Sequence, residues 1–333
     1  MSHVRSQSTP PADALTAPDF VALLRCPHDG DPLVRVGDRL VSTSGAYHYR
    51  IDEHGIPLFA EEAGSPDARA QQLHYDRVAA AYIENLGYPH TQEYSAYLDR
   101  ALLEVIDQDD LGTVAEICCG RGEALRLVGD RTGRAVGLDV SARMLHSAAS
   151  DLAEARTAFV QGDATAMPLA SDSFDHVIVL GGIHHVNDRA ALFSEMYRIL
   201  KPGGRLVYRE PVSDFMLWKL LRDIIYRLSP GLDYDTERPL TYEETVPVLE
   251  AAGFEGCTWQ TFGFLGFCLF MNSDILVFNR LFRFVPGIRA MTRAACRFDD
   301  WVTRRKALRW LGLQVVETAS KPMQTAAVAT ETP

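Results

Sequence analysis

The sequence predicts an α/β fold built on a doubly wound, mostly parallel sheet. From about residue 112, short apolar runs that suit buried strands alternate with segments that suit helices. The first apolar run leads into a glycine-rich turn, "CCGRGEAL" at 118–125. In sheets of this class the ligand lies beyond the carboxyl ends of the strands, where the strand order reverses. These observations place a ligand site at that turn.

The strands and helices follow in a regular order. The predicted strands are "TVAEIC", "RAVGLDV", "AFVQGD", "FDHVIVLGG" and "GRLVYREP". The predicted helices between them span Glu123–Asp130, Ala142–Ala155 and Arg189–Leu200. "KPGG" at 201–204 predicts a turn before the fifth strand. Further on, "DFMLWKLLRDIIYRL" and "TYEETVPVLEAAGF" predict helices, the second with a glycine cap, and "LQVVETA" predicts a last strand.

The sequence divides into four parts. Residues 1–17 and 322–333 are rich in Ser, Thr, Pro and Ala, which predicts disordered tails. Residues 18–62 contain short alternating runs between glycine turns, which predicts a small β-rich segment. Residues 70–321 are expected to form one α/β domain with apolar helical insertions at about 212–232 and 262–310.

Composition excludes several classes of function. The 333 residues are 47% hydrophobic with a net charge of −11, so a nucleic-acid partner held through many phosphates is not expected. The six cysteines lack the spacing of a disulfide framework, and the N-terminus lacks a signal-peptide pattern, which predicts a cytoplasmic protein. The apolar run "FGFLGFCLFM" is too short to span a bilayer, so no stable membrane insertion is expected.

The glycine turn and two aspartates narrow the class of ligand. Gly120 and Gly122 allow close approach of the backbone, but Leu125 stands where a dinucleotide fingerprint needs a third glycine. A phosphate-binding Gly-Lys-Ser/Thr sequence is absent from the turn. Asp139 ends the second strand at a spacing that suits ribose hydroxyls, and Asp163 ends the third, where it could accept from an adenine amine. A positively charged adenine nucleoside without phosphate fits this set.

Four segments carry a family resemblance when they are taken together. They are "VAEICCGRGEAL", "VGLDVSARML", "VQGDATAMPLASDSFDHVIVLGGIHHV" and "LKPGGRLVYREP", which cover about residues 112–212. In order and spacing they resemble the class I S-adenosylmethionine-dependent methyltransferases of the small-molecule type. The resemblance implies a Rossmann-like sheet of seven strands, a helical lid insertion and S-adenosyl-L-methionine as cofactor.

The resemblance also implies roles for individual residues. Glu116 is expected at the methionine end of the cofactor, Asp139 at the ribose and Asp163 at the adenine edge. The full set of expected cofactor contacts is Glu116, Cys118, Gly120, Gly122, Asp139, Val140, Met144, Asp163, Ala164, Leu180 and Tyr75. Cys118–Cys119 departs from the Gly-Cys or Gly-Thr that such enzymes often have, and both thiols are expected to be small buried residues rather than a redox pair or metal ligands.

Groups near the transferred methyl are candidates for catalysis. His184 and His185 follow the fourth strand, and either could orient a substrate or take its proton. Glu210 ends the fifth strand, facing the rim of the site where the methyl group is transferred, and is either a general base, if burial raises its pKa, or a cap or ion-pair partner. Tyr82, with His184 and Glu210, is expected to contact substrate. Tyr75 and Tyr82 resemble lid residues of the family, the alternative being ordinary helix packing.

A second resemblance concerns residues 18–62. "LLRCPHDGDPL" and "YHYRIDEHGIPLF" look like the small zinc ribbons found as partners or fusions of methyltransferases. Of the usual four cysteines only Cys26 is present, with His28, Asp29 and His48 as potential substitutes. One thiolate is a poor basis for structural zinc, so a metal-free segment held by apolar packing is expected.

These features predict an enzyme of secondary metabolism that moves a methyl group onto a small apolar polyketide, terpenoid or quinone-like molecule. The protein would act chiefly by positioning the reactants in line and excluding water. The apolar insertions would cover that substrate, pack against a second subunit or rest on a membrane surface. The acceptor atom and the oligomeric state stay open. The rivals are a non-catalytic cofactor-binding scaffold and a nucleotide-dependent oxidoreductase, the latter disfavoured by Leu125.

Overall fold

The computed structural model describes residues 18–73, 84, 86–152, 156–220, 238–271 and 279–323. The strands are β1 (Leu33–Val36), β2 (Arg39–Ser42), β3 (His48–Arg50), β4 (Thr113–Ile117), β5 (Arg134–Asp139), β6 (Thr157–Gln161), β7 (Phe174–Leu180), β8 (Leu200–Pro211), β9 (Glu255–Phe262) and β10 (Gln314–Ser320). The α-helices are α1 (Pro18–Val21), α2 (Ala60–Ala63), α3 (Pro89–Val105), α4 (Glu123–Val128), α5 (Ala142–Asp151), α6 (Arg189–Ile199), α7 (Tyr242–Ala251) and α8 (Ile288–Thr303).

The main sheet has seven strands in the order β6-β5-β4-β7-β8-β10-β9. The five strands β6, β5, β4, β7 and β8 are mutually parallel, whereas β10 runs antiparallel to both β8 and β9. The chain builds outward from β4 to β6 and then returns to the other side of β4 with β7, so the strand order reverses there. The predicted doubly wound, mostly parallel seven-stranded sheet is confirmed, as is the small N-terminal sheet β1-β2-β3.

Two local predictions differ from the structure. "KPGG" lies within the bounds of β8, where the pairing slips: Phe174 is opposite Leu200, but His176 is opposite Arg205. Gly203 has φ +82°, so the glycines absorb the irregularity without breaking the strand. Strand β9 was not predicted, because "EGCTWQTF" is largely exposed or half-exposed and shows no clear apolar run. The predicted helix at 214–228 lies mostly outside the described residues.

The N-terminal segment is joined to the edge of the main sheet. Leu58 forms a parallel bridge to Gln161 at the end of β6, with Phe59 N to Gln161 O at 2.9 Å and Gln161 N to Pro57 O at 3.0 Å. Its buried residues Phe20 and Tyr49 belong to the same hydrophobic cluster as the strands of the main sheet. The segment thus covers an edge whose backbone groups would otherwise be open.

The residues that could replace zinc ligands have other partners. Cys26 Sγ lies 3.1 Å from the Tyr49 hydroxyl, and His28 stacks on Tyr47 with ring centroids 4.5 Å apart. His48 Nε2 lies 3.2 Å from the Gly45 carbonyl. Among the described residues, no three His, Cys, Asp or Glu side chains come together as ligands for a metal ion. The metal-free zinc-ribbon interpretation stays a prediction.

None of the helices in the described ranges combines the length and apolar composition that crossing a bilayer requires.

A buried carboxyl group lies inside the antiparallel half of the sheet. Glu317 on β10 is fully buried and accepts a hydrogen bond from the Tyr208 hydroxyl on β8. Burial raises the pKa of Glu317 from 4.5 to about 7. Because the folded protein then binds a proton more tightly than the unfolded chain, this group makes stability fall as the pH rises from about 4.5 through 7.

We therefore expect Glu317→Gln to flatten the pH dependence of the free energy of unfolding. A shift of this size corresponds to about 3 kcal/mol of stability lost by the parent protein across that pH range. Urea unfolding at pH values on either side of the window measures it, with Glu255→Gln, an exposed glutamate on β9, as the control. A Glu317→Gln protein with the same pH slope as the parent would contradict this account.

Candidate functional site

The candidate site lies where the strand order reverses. Strands β4, β5, β6, β7 and β8 are parallel, so their carboxyl ends share one edge of the sheet. Strands β4 and β7 are neighbours, but the loops that follow them lead to different elements. A crevice therefore opens between the two loops. The residues predicted from the glycine turn and the strand ends therefore lie along one edge.

The glycine turn is held from below by Glu116. Gly120 and Gly122 have φ of +51° and +72°, and Gly122 begins α4 in the left-handed region. Both carboxylate oxygens of buried Glu116 accept backbone N–H bonds of this helix, from Ala124 at 2.9 Å and Leu125 at 3.0 Å. Burial, with the nearby charge of Glu123, raises the pKa of Glu116 to about 8. Glu116 thus positions the turn, and its expected contact with the methionine end of the cofactor stays a prediction.

Asp139 links the first two strand ends. Its Oδ2 accepts from Gly120 N at 2.8 Å and its Oδ1 accepts from Ser141 N at 2.9 Å. These two bonds fix the direction of the Asp139 side chain at the edge of the crevice.

Glu123 is a site residue that the sequence analysis missed. Its Oε2 accepts from Arg121 N at 3.2 Å and lies 3.4 Å from where a Cβ on Gly120 would stand. Burial raises the pKa of this carboxyl group. An acid immediately after the Gly-x-Gly is the signal that could have identified it, since it faces the same turn and suits a ligand ammonium group.

Asp163 is covered by the N-terminal segment. Its Oδ1 accepts from the Thr165 backbone and hydroxyl at 2.8 and 2.7 Å, and its Oδ2 accepts from Ser65 N at 2.9 Å. Burial opposes its ionisation, but these hydrogen bonds outweigh that effect and lower its pKa. Asp163 and the neighbouring buried Ala164 therefore form part of a rigid wall, to which Ser65 contributes from far away in sequence.

The wall beside Asp139 is fixed in the same way. Ser141 caps α5 by accepting from Met144 N, which buries Met144 next to the turn. The Val140 carbonyl accepts from Gln161 Nε2 at 2.9 Å, and Gln161 Oε1 accepts from Ala60 N at 3.2 Å. Gln161, also missed from sequence, thus joins the crevice wall to the N-terminal segment.

Cys118 lies where the loops after β4 and β7 touch. It has φ +53°, and a Cβ on Gly182 would stand 2.3 Å from the Cys118 Cβ. Gly182 must therefore lack a side chain for Cys118 to fit, next to Leu180 at the end of β7. Burial raises the pKa of the Cys118 and Cys119 thiols well above the usual value, so both stay neutral.

Glu210 and His184 form a buried pair on the far side of the crevice. Glu210 is fully buried, and its Oε1 accepts from Gly182 N at 2.7 Å and Ile183 N at 2.8 Å. Its Oε2 lies 2.7 Å from His184 Nδ1. The expectation that Glu210 faces the rim is corrected here, because these contacts turn its carboxylate inward, toward the loop. Glu210 orients His184, whose side chain is 14% exposed.

The remaining rim residues fall into two groups. His185 contacts His184, with the ring centroids 3.8 Å apart, so the two imidazoles lie side by side. Tyr75 and Tyr82 lie outside the described residues. Their expected roles in binding cofactor and substrate stay predictions.

Known proteins show the same core. A sequence model described as a methyltransferase domain matches residues 115–208. The chain is 37% identical over 152 residues to a demethylmenaquinone methyltransferase of Oceanobacillus iheyensis, covering 43% of this chain and 63% of that protein. It is 30% identical over 179 residues to the chloroplastic 2-phytyl-1,4-beta-naphthoquinone methyltransferase of Arabidopsis thaliana, covering 46% of this chain and 69% of that protein.

The chain belongs to the class I S-adenosylmethionine-dependent methyltransferases. It spans a little under two thirds of the Oceanobacillus protein and slightly over two thirds of the Arabidopsis protein. Among solved structures, the [4+2]-cyclase SpnF matches with a TM-score of 0.54 at 21% identity, over 78% of this chain and 98% of that one. That likeness shows the fold alone, since the same architecture serves a cyclase.

The crevice of this methyltransferase fits its cofactor, S-adenosyl-L-methionine. The cofactor has a ribose diol, an adenine amine, an ammonium group and a sulfonium charge, and no phosphate. The strand ends and the turn provide carboxylates at Asp139, Asp163 and Glu123, and the bare backbone at Gly120 leaves room beside them. Acidic groups and an open turn are the chemistry that such a cation requires.

The methyltransferase core is flanked by an apolar wall that is anchored by a buried aspartate. Asp299 on α8 accepts from the Tyr94 hydroxyl at 2.6 Å and from the Gly266 and Phe267 amides at 3.1 and 3.3 Å. A Cβ on Gly266 would stand 2.7 Å from Asp299 Oδ2, so the aromatic segment can approach this closely only at glycine. The segment 264–271 is thereby fixed against α3 and α8.

Proposed function

We propose that this methyltransferase transfers the methyl group of S-adenosylmethionine to a small apolar acceptor of the hydroquinone class. The relatives described above are named for demethylmenaquinone and for a phytylated naphthoquinone, flat apolar molecules that carry ring hydroxyls in their reduced, hydroquinone form. The observation that carries the proposal is that the aromatic segment fixed by Asp299 belongs to the hydrophobic cluster against which Leu180, at the end of β7, packs. A polar acceptor would gain little from such a cluster.

The aromatic segment supports an apolar acceptor by its composition. Phe267 and Phe270 are buried in the segment held by Asp299, and Phe264 contacts Phe215 after β8 with ring centroids 6.1 Å apart. Buried aromatic side chains offer a large contact area and favour stacked or edge-to-face partners. These properties support an aromatic acceptor for a site that borders this cluster.

The bound cofactor supplies an electrophilic methyl group on a sulfonium sulfur. A nucleophilic atom of the acceptor would bond to that methyl as the carbon–sulfur bond breaks, and the electron pair of the broken bond would stay on sulfur. Asp139 would hold the ribose, Asp163 and Ala164 the adenine edge, and Val140 and Met144 the ring faces. The Gly120–Gly122 turn, with Glu123, would hold the amino-acid end near Cys118 and Leu180. The chain thus contributes alignment and exclusion of water.

His184 is proposed as the group that takes the acceptor's proton. Because Glu210 is bonded to Nδ1 at 2.7 Å, the proton of a neutral His184 resides on Nδ1 and leaves Nε2 as the acceptor. The acceptor's hydroxyl or ring proton would pass to Nε2, and the resulting imidazolium would be stabilised by Glu210. Glu210 is a positioning residue in this scheme, and His185 contacts the His184 ring, with the two ring planes inclined at 41°.

A methyl-transfer assay with reduced acceptors tests this function. The protein is incubated with labelled S-adenosylmethionine and a panel of a prenylated naphthohydroquinone, a benzohydroquinone, a hydroxylated polyketide and a polar catechol. We expect label in the naphthohydroquinone product, with a mass gain of one methylene and an equal yield of S-adenosylhomocysteine. Cofactor binding without label in any acceptor would favour the scaffold alternative, and turnover of the catechol alone would refute the apolar acceptor.

A further inference from the structure

A set of exposed basic and aromatic side chains lies on α8 and the segments that flank it. We call this set the basic aromatic surface and define it as the exposed side chains of residues 280–310. Its apolar members are Leu281, Phe284, Val285, Met291, Phe298, Trp301 and Trp310. Phe284 is 70% exposed, Trp301 53% and Met291 52%. Large apolar side chains grouped on one surface, rather than scattered singly, mark an interaction site.

The charge of this segment is opposite to that of the chain. Residues 280–310 contain eight arginines and one lysine against two aspartates, whereas the whole chain has a net charge of −11. One of those aspartates, Asp299, is buried and serves the internal anchor. The surface is therefore a basic region on an acidic protein, which points to an anionic partner.

Helix α8 presents apolar side chains on two sides. Ile288, Cys296 and Val302 face the protein and are buried. Met291, Phe298 and Trp301, at spacings of seven and three residues, form an exposed stripe along the other side. A helix that only needs to pack on its own domain has a polar outer face, so this stripe requires another explanation.

Exposed aromatic rings on this surface are paired with arginines. The Arg305 guanidinium carbon lies 4.1 Å from the Trp301 ring centroid, and Arg309 lies 4.8 Å from that of Trp310. Phe298 stacks on Trp301 with centroids 6.0 Å apart. Stacking leaves the edge of a guanidinium free to donate hydrogen bonds to phosphate oxygens.

Part of the positive charge is already neutralised within the fold. Glu93 on α3 binds Arg293 at 3.0 Å and Arg289 at 3.8 Å. Arg304 binds Asp300 at 2.7 Å and Glu104 at 3.6 Å, and Arg283 binds Glu84 at 3.1 Å. In contrast, four exposed basic residues beside the stripe form no salt bridge within the described ranges: Arg297, Arg305, Lys306 and Arg309.

We propose that the basic aromatic surface docks this methyltransferase on an anionic lipid bilayer. Tryptophan and phenylalanine side chains partition into the boundary between headgroups and acyl chains, while arginines bind the phosphates. The helix that carries the stripe is fixed by Asp299, so the apolar groups enter the membrane surface as a rigid patch without spanning it. None of the exposed side chains of this surface has a role in the proposed methyl transfer, so the proposal goes beyond the proposed function.

Sedimentation with vesicles tests the docking. The full-length protein is mixed with vesicles of phosphatidylglycerol and phosphatidylcholine, or of phosphatidylcholine alone, at low and high salt. We expect binding to the anionic vesicles, loss of binding at high salt, and a blue shift of tryptophan emission on binding. Each basic group near an anionic membrane favours binding several-fold, so Arg297→Glu/Arg305→Glu should weaken partitioning by at least about tenfold. Phe298→Ser/Trp301→Ser should weaken it at all salt concentrations.

The matched controls lie on the small N-terminal sheet. Arg35→Glu/Arg39→Glu changes two exposed arginines and Val34→Ser/Val36→Ser two exposed apolar residues there, and both variants should bind like the parent. Circular dichroism checks that every variant is folded. Equal vesicle binding by the parent and by both double variants of the basic aromatic surface would overturn the proposal, as would no binding by the parent. If the parent does not bind vesicles but forms a dimer that Phe298→Ser/Trp301→Ser dissociates, the surface is a subunit interface instead. If the parent does not bind vesicles but binds an oligonucleotide, the surface is a nucleic-acid site instead.

Discussion

Replacing Asp139 by alanine is expected to lower the affinity for S-adenosylmethionine by at least about 100-fold. The side chain accepts from the Gly120 and Ser141 amides and is proposed to accept from both ribose hydroxyls. Two hydrogen bonds to a charged acceptor contribute about 3–5 kcal/mol together, and the turn also loses its tie to β5. Titration calorimetry with S-adenosylmethionine measures the change.

The loss of cofactor affinity in Asp139→Ala is to be compared with the affinities of two further variants. Asp139→Asn keeps one oxygen for a backbone amide and should bind with intermediate affinity. Asp130→Ala removes an exposed carboxylate whose nearest ion-pair partner, Arg156, is 3.8 Å away, and should bind like the parent. If Asp139→Ala binds the cofactor as tightly as the parent, the ribose assignment is wrong.

Glu210→Gln is expected to reduce kcat by about 100-fold or more while leaving cofactor affinity nearly unchanged. The glutamine oxygen can still accept from Gly182 and Ile183, so the loop is retained. Its amide nitrogen, however, would donate toward His184 Nδ1 and favour the tautomer that carries its proton on Nε2. That tautomer cannot accept a proton from the acceptor, and loss of a general base typically costs 10²–10⁴ in rate.

The kinetic pattern separates positioning from simple damage to the fold. The acceptor that turns over fastest in the panel is used to measure kcat and KM for Glu210→Gln, His184→Ala and the double variant. If Glu210 acts through His184, the double variant should be no slower than His184→Ala alone. Additive losses, or a Glu210→Gln enzyme with full kcat, would contradict the scheme.

Local pattern was enough to predict most of the parallel half of the sheet. Each buried strand from β4 to β8 is a short apolar run, and the aspartates at two strand ends follow directly from those runs. The positions of Asp139 and Asp163 along one edge needed only the rule that parallel strands align their carboxyl ends. The same reasoning placed Gly120 and Gly122 correctly at the turn, where both have positive φ.

Features that depend on contacts distant in sequence were missed. The Ser65 amide donates to Asp163, 98 residues away in sequence, and the Ala60 amide donates to Gln161, 101 residues away. No local sequence pattern predicts either contact. Strand β9 carries mixed polar and apolar residues because one edge of the sheet is partly exposed. Glu210 looked like a rim residue from its place at the strand end, but the direction of its side chain is decided by the loop amides that it binds.

The most direct test of this account is a crystal structure grown with S-adenosylhomocysteine. We predict that the ribose hydroxyls lie within hydrogen-bond distance of Asp139, with the adenine between Met144 and Asp163 and the amino-acid tail over the Gly120–Gly122 turn. A nucleoside found elsewhere on the protein, or an empty crevice at saturating concentration, would contradict it.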